Sequence, residues 1–132
     1  MGKIKEGDII AVDFDGTLCA NAWPGIGSPY KELIDFLIRC KKDGAQLILW
    51  TMREGELLHK ALVWCTARGL EFDAVNDNVQ KMKDFYGNNP RKVFANYYFD
   101  DHNAALVIDG KSMEILNTDM ADAILEDDEG DD

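Results

Sequence analysis

Short apolar segments alternate with helical patterns along most of this chain. Residues 8–13 and 45–51 are apolar almost throughout, which is typical of strands that are buried on both faces. Residues 72–75 and 96–101 are two further candidate strands. Because right-handed crossovers place helices on both faces of a parallel sheet, this alternation predicts an α/β three-layer sandwich built on a Rossmann-like, mostly parallel sheet.

Three segments between these strands have the residue spacing of helices. For the first helix, Ser28 is the predicted N-cap, Pro29 lies in the first turn and Gly44 follows the last turn. The second helix carries apolar side chains on one face between residues 57 and 65. A third, weaker helical pattern covers residues 78–87.

The C-terminal part of the chain differs from the alternating region. Asp109 and Gly110 lie between apolar segments and predict a C-terminal hairpin with a two-residue turn. We therefore assign residues 1–118 to a single domain, which is long enough to bury a core. Residues 119–132 hold eight acidic residues and no basic residue, and they carry most of the net charge of −11. We expect a solvated, disordered tail there, with an interaction role as the alternative.

Composition limits the partners and the compartment of the protein. Hydrophobic residues make up 46% of the chain and charged residues 30%, which is ordinary for a soluble globular protein. No apolar run approaches the roughly 18 residues of a membrane-spanning helix, and the N-terminus lacks a signal-peptide pattern, so we expect a cytoplasmic protein with no membrane contact. The acidic tail would repel phosphate backbones, which makes nucleic acid a disfavoured partner.

Acidic and hydroxyl side chains follow three of the predicted strands. Asp13 and Asp15 end the first apolar segment, Thr51 ends the second, and Asp100 and Asp101 end the fourth. Since parallel strands finish at one edge of a sheet, we expect these side chains to meet there. Crowded carboxylates repel each other and are costly to desolvate, which indicates a bound cation. All-oxygen ligation favours Mg²⁺.

These residues give the chain a resemblance to the haloacid dehalogenase (HAD) superfamily of aspartate-dependent phosphohydrolases. The first motif of that superfamily matches VDFDGTL, the second matches LILWT and the fourth matches FDD. The third motif, a basic residue ahead of the last strand, fits Lys92 in NPRKVF, with Arg91 as the alternative. The motifs extend over residues 8–101, and the segments between them leave no room for a cap domain. The resemblance therefore implies a HAD-like fold of the small, capless type.

The resemblance also implies a Mg²⁺-dependent phosphatase that hydrolyses phosphate monoesters through an aspartyl-phosphate intermediate. Asp13 would be the nucleophile that attacks phosphorus, and Asp15 would be the general acid and base. An acid at the position of Asp15 distinguishes phosphatases of this superfamily from its dehalogenases, which lack it, and from P-type ATPases, which carry Thr. Thr51 and Lys92 would bind the phosphate, and the charge of Lys92 would also stabilise the nucleophile.

The same resemblance implies the ligands of the Mg²⁺ ion. Asp13, the backbone carbonyl of Asp15 and Asp100 would hold the ion, and Asp101 would contribute through a water molecule or by contacting one of the direct ligands.

Three further residues are candidates for substrate binding. Trp23 lies in a loop, residues 21–30, that would overhang the site; this tryptophan would stack on a substrate or, equally, pack on its own loop. Arg53 is a candidate anion contact, with a surface ion pair as the alternative. Asn76 would contact a polar substrate group or form a turn. A capless site would be open, which fits a large substrate or a homo-oligomer.

Two other functions stay open from the sequence. A phosphoacceptor signalling domain also uses a doubly wound sheet and Mg²⁺, but it needs its phosphoacceptor aspartate near position 50, where this chain has Thr51, Met52 and Arg53. A non-catalytic phosphate-binding protein on the same fold is the other alternative. The residues do not specify the natural substrate, because nucleotides, sugar phosphates and phosphorylated macromolecules all fit a phosphate site.

Overall fold

The computed structural model describes residues 4–102, 107–108 and 111–112 of the chain. Eight strands and three helices follow one another within these residues. In chain order they are β1 (Ile9–Val12), β2 (Cys19–Ala22), β3 (Gly25–Pro29), α1 (Lys31–Lys42), β4 (Gln46–Leu49), α2 (Gly55–Ala67), β5 (Ala74–Val75), α3 (Gln80–Tyr86), β6 (Tyr97–Phe99), β7 (Val107–Ile108) and β8 (Lys111–Ser112).

Four of the strands form a parallel sheet in the order β5-β4-β1-β6. Strand β1 lies at the centre, where Val12 pairs with Leu49 of β4 on one side and with Phe99 of β6 on the other. These three strands therefore end side by side. The α/β fold with a mostly parallel sheet is confirmed.

Both faces of the sheet are covered, because alternate residues of β1 belong to two different hydrophobic clusters. Ile10 and Val12 pack in a large cluster with buried side chains of α1 and α2. Ile9 and Ala11 pack in a smaller cluster that includes Val79 and Met82, at the start of α3. A strand that is buried on both faces is apolar at every position, which explains the continuous run IIAV.

The segment between β1 and α1 differs from the predicted loop and helix start. Strands β2 and β3 form an antiparallel hairpin, and Ser28 and Pro29 belong to β3 rather than to the helix. Helix α1 begins later, after Tyr30, and no side chain caps it. Pairing with β2 and the hydrogen bond from Tyr30 N–H to Leu18 O keep the chain extended through Pro29, so tertiary pairing overrides the local capping signal.

The remaining elements follow the predicted order with shorter bounds. Strands β7 and β8 pair antiparallel on either side of residues 109–110, which confirms the C-terminal hairpin. The predicted acidic tail at 119–132 lies outside the described residues. Within residues 4–102, the segments between β1 and β6 contain only the elements named above. None of the described helices combines the length and the apolar character that crossing a membrane requires.

Candidate functional site

Three aspartates converge where β1 and β6 end. Asp13 follows β1 directly, and its backbone N–H donates a 2.9 Å hydrogen bond to Phe99 O at the end of β6. This bond brings the next two residues of the chain, Asp100 and Asp101, alongside Asp13. Carboxylate oxygens from Asp13, Asp100 and Asp101 all lie within 4.8 Å of one another. We call these three residues the acid cluster.

The loop after β1 holds the acid cluster together. Asp101 N–H donates a 3.1 Å hydrogen bond to Thr17 Oγ1, which joins two segments that are far apart in the sequence. Gly16 has a φ of +83°, and a Cβ added there would collide with the carboxylate of Asp101. A side chain at this position would therefore push Asp101 away from Asp13.

Electrostatics of the acid cluster favour a bound cation. The pKa of Asp13 is raised from its usual 3.8 to about 7; burial is the main cause, the Phe14 N–H hydrogen bond opposes it, and the negative charges of Asp100, Asp101 and Asp15 add to it. Asp101 Oδ1 is buried and accepts no hydrogen bond from the described residues. The exposed His102 lies nearby, but its Nε2 is 3.7 Å from that oxygen, beyond hydrogen-bonding distance.

The donor set of the acid cluster fits Mg²⁺. It offers carboxylate oxygens alone, which are the ligands that this hard cation takes, and it leaves coordination positions for waters and a substrate. A divalent cation would offset both the burial and the carboxylate repulsion that raise the pKa of Asp13, and it would give Asp101 Oδ1, which accepts no hydrogen bond from the described residues, a ligand role. Because an oxygen of Asp101 lies within 4.8 Å of oxygens of Asp13 and Asp100, the geometry also allows Asp101 to bind the ion directly.

The Asp15 carboxylate points to Arg53 and takes no part in the acid cluster. Arg53 Nε donates to Asp15 Oδ2 at 2.8 Å, and Arg53 Nη2 donates to Asp15 Oδ1 at 2.7 Å. This is the bidentate geometry of a strong ion pair. The Arg53 side chain is fully buried, whereas 18% of the Asp15 side chain is exposed. Arg53 balances the charge of Asp15, and among the described residues no lysine or arginine pairs with the three clustered aspartates.

Arg53 has a different role from the predicted anion contact. Besides its two bonds to Asp15, Nη2 donates to Gly25 O at 2.8 Å, and Nη1 donates to Pro24 O and Leu57 O at 3.3 and 3.4 Å. A guanidinium has five N–H donors, and all five are used. The side chain therefore has no donor left for a phosphate in this arrangement, and the ion pair is internal rather than at the surface.

Thr51 lies two residues beyond β4, at the same edge of the sheet. Its Oγ1 accepts a 3.1 Å hydrogen bond from Arg53 N–H, and the hydroxyl hydrogen stays available to a phosphoryl oxygen. Thr51 N–H donates to Asn76 Oδ1 at 2.8 Å, and Asn76 N–H donates to Leu49 O at 2.7 Å. Asn76 thus holds the backbone of Thr51 in place, and its left-handed backbone (φ +50°) fits the predicted turn, whereas the substrate contact stays a prediction.

The two other predicted residues are exposed. Trp23 stands at the end of the β2–β3 hairpin, 54% exposed, with its ring 5.1 Å from the guanidinium carbon of Arg53. Its ring therefore contacts Arg53 and also presents free surface, and stacking on a substrate stays a prediction. Lys92 is exposed, and its ammonium makes no hydrogen bond or ion pair with the described residues. Its backbone carbonyl accepts a 3.4 Å hydrogen bond from the buried Asn78.

Two contributions were missed from the sequence. Thr17 stands in the matched DGT motif, which was the available signal, but no role was assigned to its hydroxyl. The second contribution comes from Asn78, whose side chain is buried and bonds the loop ahead of β6, accepting from Phe94 N–H at 2.7 Å and donating to Asn89 Oδ1 at 3.1 Å. Nothing in the local sequence distinguishes a buried asparagine from one in an exposed turn.

Comparison with known proteins places the chain beside one solved structure. No family model matches the chain, and no curated protein matches it. A conserved protein coded by a locus of Bacteroides thetaiotaomicron has a similar structure, with a TM-score of 0.70 and 34% sequence identity. The match covers 96% of this chain and 93% of that protein. The chain belongs to the same family as this conserved Bacteroides protein.

Proposed function

We propose that this protein is a Mg²⁺-dependent phosphatase of the HAD superfamily, with a HAD-like capless core, that hydrolyses phosphate monoesters. The observation that carries the proposal is the approach of Asp13, Asp100 and Asp101 to within 4.8 Å at the carboxyl edge of a parallel sheet. Ligands of α/β sheets bind at this edge. The matched order of DxDGT, LILWT and FDD along the chain supports the same assignment.

Asp13 is the proposed nucleophile. One of its carboxylate oxygens attacks phosphorus, the bond from phosphorus to the ester oxygen breaks, and an aspartyl phosphate forms on Asp13. A Mg²⁺ ion held by Asp13, Asp100, Asp101 and the backbone carbonyl of Asp15 would supply positive charge to the phosphoryl oxygens when bound. The Thr51 hydroxyl donates a hydrogen bond to one phosphoryl oxygen, and Lys92 adds a positive charge.

Asp15 is the proposed proton carrier. It gives a proton to the departing ester oxygen, and it later takes a proton from the water that attacks the aspartyl phosphate, which releases phosphate and restores Asp13. Each Asp15 oxygen accepts one hydrogen bond from Arg53 and keeps further lone-pair capacity for a proton or a water. The ion pair with Arg53 is therefore compatible with proton transfer at the outer side of the carboxylate.

The substrate class follows from what surrounds the site. The described elements between β1 and β6 include the β2–β3 hairpin and no further covering domain, so a phosphate on a bulky molecule has access. Exposed apolar surface on Trp23 and on Met52, which is 93% exposed next to Thr51, favours a substrate with an apolar or planar group beside the phosphate. A second copy of the chain covering the site is the alternative that the open edge also allows.

The test is a screen of phosphate esters with the purified protein in Mg²⁺, with the Asp13→Asn variant assayed beside it. We expect phosphate release by the wild type that needs Mg²⁺ and falls by at least about 10³-fold in the variant, because the nucleophile is lost. Asp35→Asn is the matched control, since Asp35 is an exposed partner of Lys31 on α1. Equal release by wild type and Asp13→Asn would reject Asp13 as the nucleophile.

One observation favours a second candidate, a phosphoacceptor or phosphate-binding module. The engagement of Asp15 with a buried arginine would slow proton transfer, and an aspartyl phosphate would then persist on Asp13. Incubation with acetyl phosphate and Mg²⁺, followed by intact-protein mass measurement, distinguishes the candidates. A stable mass gain of one phosphoryl group without continued phosphate release supports the module, whereas continued release with no lasting mass gain supports the phosphatase.

A further inference from the structure

Arg53 connects three separate parts of the chain through one buried side chain. Its guanidinium bonds Asp15 in the loop after β1, the carbonyls of Pro24 and Gly25 at the turn of the β2–β3 hairpin, and the carbonyl of Leu57 in α2. No other described arginine is fully buried. Burying a charged group is costly unless every donor is satisfied, and here every donor is.

Two aromatic rings contact this guanidinium. Its central carbon lies 5.0 Å from the centroid of the Phe14 ring and 5.1 Å from the centroid of the Trp23 ring. Phe14 is buried between Asp13 and Asp15, and Trp23 belongs to the hairpin. The rings therefore add cation–π contacts between Arg53 and two segments that it also hydrogen-bonds, the loop after β1 and the β2–β3 hairpin.

We propose that Arg53 is a positioning residue that holds the Asp15 carboxylate and the turn of the β2–β3 hairpin as one unit. The hairpin with Trp23 and the proton carrier Asp15 then keep a fixed relation to each other, and a displacement of either one displaces the other. This inference extends the proposed function, because it assigns Arg53 an effect on turnover that acts through Asp15 rather than through contact with the substrate.

Lysine cannot reproduce this arrangement. The bidentate contact with Asp15 and the three carbonyl contacts need the planar fork of a guanidinium, whereas an ammonium is a point donor. Arg53→Lys keeps the charge and removes the fork, so it tests positioning without leaving an uncompensated buried carboxylate. Asp15→Asn keeps the shape of the partner and removes its charge.

The first experiment follows Trp23 without any need for enzymatic activity. Protein labelled with 5-fluorotryptophan has three ¹⁹F resonances, from Trp23, Trp50 and Trp64, and Trp23→Phe assigns the first. We expect Arg53→Lys and Asp15→Asn both to shift or broaden the Trp23 resonance. Arg68→Lys is the matched control, because Arg68 is exposed and stacks on Trp64 at 3.8 Å; it should affect the Trp64 resonance only. A Trp23 resonance that stays unchanged in Asp15→Asn would overturn the coupling.

The second experiment is a double-mutant cycle on turnover of p-nitrophenyl phosphate, whose leaving group departs without a proton, so that Asp15 acts only in the hydrolysis of the aspartyl phosphate. We expect Arg53→Lys to lower kcat by about tenfold or more with less than a threefold change in KM. In the Asp15→Asn background the same change should lower kcat by less than about twofold, because the residue through which Arg53 acts is already altered. Equal losses of kcat in both backgrounds would mean a general structural effect and would overturn the proposal.

The two experiments separate this inference from the proposed function. If the wild type hydrolyses no phosphate ester, the proposed function fails and the Trp23 resonance alone decides whether Arg53 couples Asp15 to the hairpin. If the wild type is active and the Arg53→Lys effect is the same with and without Asp15→Asn, the function stands and the positioning role fails.

Discussion

The backbone N–H of Asp101 donates a hydrogen bond of 3.1 Å to Thr17 Oγ1, across 84 positions of the sequence. The bond joins the loop after β1 to the loop after β6, and these two loops carry all three residues of the acid cluster. The hydroxyl of Thr17 contributes no charge to the cluster. It sets the position of Asp101 relative to Asp13, and the glycine before it leaves the space that the Asp101 carboxylate fills.

Thr17→Val should weaken Mg²⁺ binding about tenfold, because it removes the oxygen that positions a proposed ligand while it keeps the side-chain shape. Lost hydrogen bonding should also lower the free energy of unfolding by about 1 kcal/mol. Titration calorimetry with Mg²⁺ measures the first effect and urea unfolding the second. Thr17→Ser keeps the hydroxyl and is the control. Equal Mg²⁺ affinity in Thr17→Val and Thr17→Ser would show that this hydroxyl does not position Asp101 for metal binding.

Asn76 provides a second test of how the site is held. Its φ is +50°, a left-handed conformation that side chains other than asparagine disfavour, and its Oδ1 accepts from Thr51 N–H. Asn76→Ala should therefore lose both the hydrogen bond and the favourable backbone preference, at a cost of about 2 kcal/mol of stability. Asn76→Gly tolerates the left-handed backbone but still loses the hydrogen bond to Thr51 N–H. We expect both variants to lower kcat through Thr51, and an unchanged kcat in both would contradict that role.

Stability of the metal-free protein should depend on pH through Asp13. Its pKa is about 7 in the folded state and 3.8 as a free side chain, so the stability linked to this group is full below about pH 4 and is lost as pH rises through 7. The side chain of Asp13→Asn does not titrate, so the variant should not lose this stability as pH rises. In EDTA, the variant should gain about 1 kcal/mol over the wild type between pH 5 and pH 8, a figure kept small because solvent screens the half-buried carboxyl.

Urea unfolding at the two pH values measures this difference, and Asp35→Asn is again the exposed control. Added Mg²⁺ at pH 8 should stabilise the wild type more than Asp13→Asn, because a cation that binds the folded state adds to its stability. A difference between Asp13→Asn and wild type that is the same at pH 5 and pH 8 would mean that Asp13 does not titrate in this range.

Much of the fold could be predicted because the two central strands, β1 and β4, are apolar at nearly every position. IIAV is apolar throughout and QLIL is apolar after its first residue, as expected for strands buried on both faces. The order of strands and helices then determines which residues follow the strands at one edge. The meeting of Asp13 with Asp100 and Asp101 follows from that topology alone. It needs no knowledge of side-chain contacts.

The hairpin and the role of Arg53 could not be predicted, because each depends on partners that are distant in the sequence. The segment CANAWPGIGSP has neither helical nor strand periodicity, and only its pairing between β2 and β3 gives it a fixed form. Arg53 follows Thr51 closely and so looked like a phosphate contact. Its actual partners, Asp15 and the carbonyls of Pro24 and Gly25, become visible only once the hairpin has folded back over the site.

Lys92 and Arg91 give a direct test of the third motif, since both are exposed and adjacent in the chain. Lys92→Met should lower kcat/KM by about 10²-fold, because a positive charge near the phosphoryl group stabilises the transition state. Arg91→Met should change it by less than about twofold. Initial rates with one phosphate ester in saturating Mg²⁺ measure both. A large loss in Arg91→Met with wild-type rates in Lys92→Met would assign the motif to Arg91.

The most direct measurement of the central claim is to locate the phosphoryl group during turnover. The protein is acid-quenched while it hydrolyses an aryl phosphate in Mg²⁺ and is then treated with borohydride, which reduces an aspartyl phosphate to homoserine. Peptide mass spectrometry finds where the reduction occurred. Our account predicts reduction at Asp13, with none in EDTA and none in Asp13→Asn. Turnover with reduction at another aspartate, or with no reduction at any residue, would contradict the assignment of Asp13 as the nucleophile.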